Sequence, residues 1–337
     1  MYTNLSPTSP FFSFFIPGKI LLSGEYALLE GAVGAAMVSK FGQYLTLTSS
    51  QISSNLSKDY WLEFSSQREQ EVLTAFINPS TWECVSEEKK WHEACSFFKK
   101  NKCSLHFYLQ EYKNQNKDKN KGLKGNFHCN FNLSWGLGSS SSWICLLSYL
   151  IDFNPYDLNS FLFKGSGYDI AVGLYQQDLL FSKPSHISLA SFPLLSKKKY
   201  QEQGHAFFAF MGKKISSQQS LEMAYAQNKK RPLFSQKEIN LISSFSRALS
   251  FSSRIEEWMK ILQEQDLLLS FILGRSTLQH SFFSDFPGTI RPLGAWGGDL
   301  VLGLTTQTDK KFCQRYCEEK KIGYLNIEEI LPCLLPD

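Results

Sequence analysis

The segment Gly136-Leu137-Gly138-Ser139-Ser140-Ser141-Ser142 runs straight into the apolar stretch Trp143-Ile144-Cys145-Leu146-Leu147-Ser148-Tyr149-Leu150. The apolar stretch reads as the first turns of a buried helix, so the glycines and serines fall at a helix N-terminus. There the first backbone N–H groups have no acceptor within the helix, and the helix dipole presents its positive end. With hydroxyls added, such a loop is a ready site for a phosphate group. It is not a Walker A loop, because no Gly-Lys-Ser/Thr closes it. Nor is it a dinucleotide fingerprint, because the third glycine of G-x-G-x-x-G is missing. Taken alone, a Gly/Ser turn that merely starts a helix is the simpler reading, and the flanking sequence has to decide.

A chain of 337 residues is long enough for two domains, or one large one, with a full hydrophobic core. A net charge of +4 is small for that length, and no long basic stripe with interleaved aromatics appears, which argues against a nucleic-acid binder. The eight cysteines are scattered without a CxxC pair. Cys313 and Cys317 are four apart on one helix face, with no second pair or histidine at ligand spacing, so packing is expected there rather than metal. The cysteine pattern suits a reducing compartment. The N-terminus lacks the Lys/Arg start of a signal peptide, and Phe11 to Ile16 is too short for its apolar core. No run approaches the roughly 18 to 20 apolar residues that span a bilayer. A cytoplasmic protein with no membrane contact is expected.

Along the chain, Phe11 to Ile16 predicts a strand, Pro17-Gly18-Lys19 a turn, and Gln43 to Thr48 a strand by its period of two. Trp82 to Lys102 reads as partly helical. Ser104 to Leu109 and Phe127 to Leu133 read as strands, separated by the polar run Lys113 to Lys124 as a solvated hairpin tip. Strands are predicted at Leu179 to Lys183, Ile187 to Leu195 and Phe207 to Met211. Ser252 to Ile272 has helical spacing. Thr289 to Leu293 and Leu300 to Leu304 read as strands around a second glycine-rich turn, followed by a helix from Asp309 to Lys320 and a strand at Tyr324 to Ile327. The pattern is mixed α+β, with a boundary expected near 185 to 200.

Four local features fall in order: Pro17-Gly18-Lys19-Ile20-Leu21-Leu22-Ser23-Gly24-Glu25-Tyr26-Ala27, the Gly136–Ser142 loop, Gly165-Ser166-Gly167-Tyr168-Asp169-Ile170-Ala171, and Gly294-Ala295-Trp296-Gly297-Gly298-Asp299. Together they resemble the GHMP kinases, the family of galactokinase, homoserine kinase, mevalonate kinase and phosphomevalonate kinase. The resemblance covers nearly the whole chain, because its motifs lie near both ends. It implies a two-domain α+β fold, with a ribosomal protein S5 domain 2-like N-terminal domain over 1–185 and a ferredoxin-like C-terminal domain over 186–337. It also implies ATP and Mg²⁺ as cofactors and a small-molecule acceptor as partner, with a homodimer left open.

The resemblance further implies roles for individual residues. Gly136, Leu137, Gly138, Ser139, Ser140 and Ser141 would wrap the ATP phosphates, with Ser140 also at the position that helps hold Mg²⁺. Gly294, Gly297 and Gly298 would let the backbone pass close to those phosphates. Asp169 matches the catalytic aspartate and Lys19 the lysine near the acceptor. An aspartate can take the acceptor's proton, and a lysine beside an acceptor oxygen stabilises its anion. Glu25, Tyr26, Ser166 and Gly167 would border the substrate, although second-layer packing is an alternative for Glu25 and Tyr26.

Gly-Lys followed by Gly-Glu-Tyr-Ala, the wording Ser-Gly-Tyr-Asp-Ile-Ala, and Phe208 to Ser217 lean the resemblance toward bacterial phosphomevalonate kinases, with mevalonate kinase close behind. Three departures stand out. The interval from Ser140 to Asp169 is short and contains no Glu, only Asp152 and Asp157, where relatives carry a Mg²⁺-binding glutamate. Trp296 stands where relatives have glycine, and Arg291 near where many have lysine. A non-catalytic binding protein of the same fold, or a kinase for a sugar or amino-acid alcohol, are the competing readings.

Overall fold

The computed structural model describes residues 12–51, 62–68, 71–115, 121–212, 232–294 and 300–332. By internal contacts the chain forms two compact units. One gathers Met1–Pro17, Gly42–Leu133 and Ser139–Ile170; the other gathers Gly18–Phe41, Ser134–Gly138 and Ala171–Asp337. Strand β1 (Phe12–Ser23) pairs with β2 (Gly34–Gln51), and each contributes residues to both units.

In the first unit, β2 is followed by β3 (Leu62–Arg68), β4 (Glu71–Asn78), β5 (Glu83–Ser86) and β6 (Lys121–Cys129), in the order β5-β4-β3-β6-β2. β3 and β6 run parallel from Leu62↔Leu123, whereas β2 meets β6 antiparallel from Gln43↔Cys129. Its helices are α1 (Lys89–Lys100), α2 (Phe107–Gln115), α3 (Ser139–Leu150) and α4 (Pro155–Leu162). Trp91, on the apolar face of α1, stacks on Phe64 of β3 with ring centroids 5.2 Å apart and meets Trp143 of α3 edge-on at 5.1 Å. This aromatic layer joins the sheet to the helix that the glycine/serine loop opens.

The second unit takes in most of α5 (Tyr168–Tyr175), then β7 (Leu179–Lys183), β8 (His186–Leu189), the short α6 (Pro193–Ser196) and β9 (His205–Phe210). Next come α7 (Gln236–Phe251), α8 (Ile255–Leu273), α9 (Leu278–Phe282), β10 (Thr289–Pro292) and β11 (Leu300–Thr305). The described chain ends with α10 (Lys310–Glu319), β12 (Gly323–Asn326) and α11 (Ile327–Ile330). β7 pairs with the start of β2, Gly34↔Phe181. A separate antiparallel sheet has the order β10-β11-β9-β12. Its strand β11 is buried along its whole length, which is why it reads as a continuous apolar run rather than an alternation. Helix α7 begins with a reciprocal capping box between Ser235 and Glu238.

Several predicted elements differ from those observed. Pro17-Gly18-Lys19 is not a turn: β1 runs through it unbroken, because Lys19 donates its backbone N–H to Leu137 at 2.9 Å and so keeps an extended neighbour. Residues 104–109 hold only an isolated bridge at Leu105 before α2 begins at Phe107. Leu109 and Tyr112, three apart, face the interior there, so helical burial overrode the local alternation. Of the expected hairpin tip, residues 113–115 end α2, residues 121–124 open β6, and residues 116–120 lie outside the described residues. The strand expected over 187–195 stops at Leu189, since Pro193 starts a helical turn.

Trp91 is 1% exposed. Replacing it with alanine is expected to destabilise the first unit by about 3–5 kcal/mol, the range for deleting a large buried aromatic. Urea unfolding followed by circular dichroism would measure it.

Candidate active site

The Gly136–Ser142 segment has the backbone its glycines allow. Gly136 and Gly138 sit at φ +69° and +92°, a region that side-chain-bearing residues adopt at a penalty, while Leu137 between them is buried and anchors the loop. Helix α3 begins at Ser139. Ser140 on its first turn is exposed, whereas Ser141 and Ser142 are buried. The Ser142 hydroxyl donates to Gln43 Oε1 at 2.9 Å, so it fastens the first turn of α3 to β2. Beside this helix start, within the first unit, lies a cavity of about 240 Å³. Ser139, Ser140, Trp143, Phe127, Phe163 and Lys90 are among its lining residues, so hydroxyls, aromatic rings and an ammonium all border it.

In the second unit Lys19 is joined to the loop twice. Its backbone N–H donates to Leu137 O at 2.9 Å, and its ammonium donates to Gly136 O at 3.0 Å. Gly18 makes this approach feasible, since a Cβ at that position would stand 2.8 Å from Leu137 O. Just before the loop, Trp135 stacks on Phe210 at the end of β9, with centroids 4.4 Å apart and ring planes 18° from parallel.

Glu25 turns inward. Its side chain is 1% exposed, with Oε1 at 2.8 Å from Nη2 of Arg291, itself fully buried on β10. The same guanidinium nitrogen lies 3.3 Å from Oδ1 of Asp266 on α8. Gln265 Nε2 donates to Glu25 Oε2 at 2.7 Å, and Ser23 Oγ donates to Gln265 Oε1 at 2.7 Å. Ser246 of α7 stands 2.7 Å from Ser23 and donates to Val33 O at 2.7 Å. Burial pushes the Glu25 carboxyl up to about 7, against the opposing pull of Arg291, and Asp266 up to about 6 in the same way. Tyr26, next in the chain, has φ +58° and packs half-buried against the apolar cluster that includes Phe234, Ile242 and Leu269.

Of the third motif, Gly167 is buried with φ +89°, Ser166 is half-buried, and Asp169 is on the first turn of α5, its Oδ1 accepting from the Ile170 N–H at 3.0 Å. Of the fourth, Gly294 has φ +79°, and the Leu293 N–H donates to Leu300 O at 2.9 Å. Gly297, Gly298 and Trp296 lie outside the described residues. The predicted residues brought together are therefore Lys19 with Gly136 and Leu137, and Glu25 with Arg291. Sequence reasoning did not single out Asp266 and Gln265. The available signal was their place among Leu262 and Leu269, as two polar residues on the apolar stripe of α8.

Among the described residues no group of three or more His, Cys, Asp and Glu could hold a metal ion, and no helix is long and apolar enough to cross a membrane. Cys313 and Cys317 pack in the apolar cluster with Phe207 and Tyr316.

No family model and no curated protein matches the sequence. Solved structures do match it in three dimensions, and the chain has the two-domain α+β fold of the GHMP kinases. Mevalonate kinase from Methanococcus jannaschii superposes with a TM-score of 0.64 at 16% identity, over 95% of this chain and 98% of that one. Phosphomevalonate kinase from Streptococcus pneumoniae, in complex with phosphomevalonate and AMPPNP, gives 0.57 at 14% identity over 94% and 98%. Galactokinase from Lactococcus lactis, complexed with galactose, gives 0.58 at 12% over 93% and 92%.

The buried carboxylates predict a sign for the pH dependence of stability. Glu25 and Asp266, with Asp178 (raised to about 6 by burial), hold protons in the folded state that the unfolded chain has released. Their contribution is complete below the ordinary carboxylate values of 4.5 and 3.8 and is lost as pH rises through the folded values of about 6 to 7. The melting temperature should therefore decline across that window, and E25Q should flatten the decline. A steeper profile in E25Q would contradict the sign.

Proposed function

We propose that the chain is an ATP-dependent GHMP-family kinase of the mevalonate pathway, with phosphomevalonate as acceptor ahead of mevalonate. The observation that carries the reading is the double attachment of Lys19 to the glycine/serine loop, through Leu137 O at 2.9 Å and Gly136 O at 3.0 Å. Two motifs far apart in sequence are thus joined within the second unit, and on this reading the ammonium is the cation that phosphoryl transfer calls for.

On this reading Gly136, Leu137, Gly138, Ser139, Ser140 and Ser141 bind the ATP phosphates, and Gly294, with Gly297 and Gly298 outside the described residues, is assigned to the same ligand. The aromatic cavity beside Ser139 and Ser140 suits a nucleotide base. The acceptor hydroxyl attacks the γ-phosphorus, its O–P bond forming as the bond to the β-phosphate oxygen breaks and ADP leaves. Asp169 takes the hydroxyl proton and Lys19 stabilises the acceptor oxygen. Tyr26, Ser166 and Gly167 border the acceptor. The exposed Ser140 hydroxyl is a hard oxygen donor that fits Mg²⁺, an ion that keeps several waters and binds largely through substrate phosphates. When bound, Mg²⁺ would neutralise phosphate charge. The preference for phosphomevalonate rests on residues 208–217, whose serines and lysines suit a second phosphate. The Trp135–Phe210 stack holds the described start of that segment against the loop. A cytoplasmic location fits these substrates.

A coupled ADP-release assay with mevalonate and phosphomevalonate side by side tests the proposal, with faster turnover of phosphomevalonate expected. ATP binding with turnover of neither would instead favour a different acceptor or a non-catalytic binder. D169N should lower kcat by roughly 10²–10⁴-fold with nucleotide affinity nearly intact. Wild-type rates in D169N would remove Asp169 from the acid–base role.

A further inference from the structure

The network around Arg291 is larger than a single ion pair requires. A fully buried guanidinium faces two buried carboxylates, and the hydrogen bonds continue through Gln265, Ser23 and Ser246 to Val33 O. Its members come from the end of β1, the turn after it, α7, α8 and β10, all within the second unit. Ser23 is on the same strand as Lys19, four residues further on, so fixing Ser23 fixes the strand that carries the ammonium. Arg291 is three residues before Gly294, on the strand that leads into the fourth motif.

Tyr26 supplies a second, independent observation. It has φ +58° and ψ −43°, outside the basins that residues with a Cβ ordinarily occupy. Such a conformation persists only where its surroundings over-determine it. Glu25, the residue before it, is held at both carboxylate oxygens, by Arg291 and by Gln265.

We propose that Arg291, acting through Glu25, is a positioning residue for phosphoryl transfer: its buried guanidinium ties the end of the Lys19 strand and the Glu25–Tyr26 turn to the strand that enters the fourth motif. Glu25 then works from inside the protein rather than by touching the acceptor. Among the described residues the charged groups facing it are Arg291 from β10 and Asp266 from α8, while Gln265, Ser23 and Ser246 are neutral. Two carboxylates against one guanidinium leave one negative charge in excess in a dry interior, so near neutral pH the cluster retains a proton. Deprotonation leaves that excess charge uncompensated and loosens the turn, which links the geometry of the Lys19 strand to pH.

The inference rests on the kinase reading, and the experiment separates the two. Three variants, E25Q, R291K and R291M, are compared with wild type by steady-state kinetics across pH and by amide hydrogen exchange. Two amides report the tie: Leu28, bonded to Gly24 O at 3.0 Å, and Leu293, bonded to Leu300 O at 2.9 Å. Expected in E25Q and R291K are faster exchange at both and a kcat lowered roughly ten- to a hundredfold, as a displaced reacting group produces, with KM for ATP little changed. The wild-type kcat profile should carry an inflection near 7 that E25Q lacks. R291K should recover part of what R291M loses, because lysine keeps the charge but not the planar fork. Wild-type kcat and an unshifted pH profile in both E25Q and R291K overturn the proposal. So does a lowered kcat with unchanged exchange at Leu28 and Leu293, which would mean Glu25 acts on the substrate directly. Failure of wild type to phosphorylate either acceptor counts against the kinase reading, and the exchange data, which need no substrate, still decide whether Arg291 ties the two segments.

Discussion

A guanidinium removed from water must be matched on the spot, and most of what is particular to the second unit follows from how this chain matches one. Arg291 is fully buried on β10 and faces Glu25 and Asp266 from two other elements. Desolvating an ion costs several kcal/mol even after the protein relaxes, so a pairing of this kind depends on good geometry and on partners for the remaining polar atoms. Here Gln265 donates to Glu25 and Ser23 joins Gln265 to Ser246, whereas Arg291 Nη1 and Asp266 Oδ1 are buried without a hydrogen-bond partner among the described residues. The network orders the Glu25–Tyr26 turn by directed bonds, where apolar packing alone would tolerate a range of backbone paths.

The glycine/serine loop is built on a different principle. Its fixed points are apolar and backbone groups: buried Leu137 inside it, the stacked pair Trp135 and Phe210 before it, and the N–H of Lys19 closing on Leu137 O. Polar side chains are divided between two tasks. The Ser142 hydroxyl is used internally on Gln43, while Ser140 remains exposed on the first turn of α3. A run of four similar serines in the sequence thus separates by burial into structural and accessible members.

Much of the fold was legible because its signals are local. The helix from Ser139, the strand Leu179–Lys183, the α8 periodicity and the Asp309-capped helix α10 all follow from spacing and capping residues. The misreadings share a cause. Pro17-Gly18-Lys19 has turn composition, yet the carbonyl of Leu137 supplies an extended partner that no local rule can see. Residues 104–109 alternate like a strand, but Leu109 and Tyr112 find an interior only as helix neighbours. Of the candidate residues, Lys19 and the loop serines stand out in the sequence by their motifs, and Glu25 stands out as a motif residue but not as a buried one.

The sequence by itself determined the helix-start character of the Gly136–Ser142 segment, the order of the four motifs and the mixed α+β class, because these depend on residue type and short spacing. The tertiary structure alone decided that Lys19 is held against the loop carbonyls, and that Glu25 turns inward toward an arginine and an aspartate some 240 to 270 positions further along the chain. Burial and ion pairing are properties of neighbours in space. A carboxylate two residues beyond a strand end carries no local mark of whether it will meet water or a guanidinium.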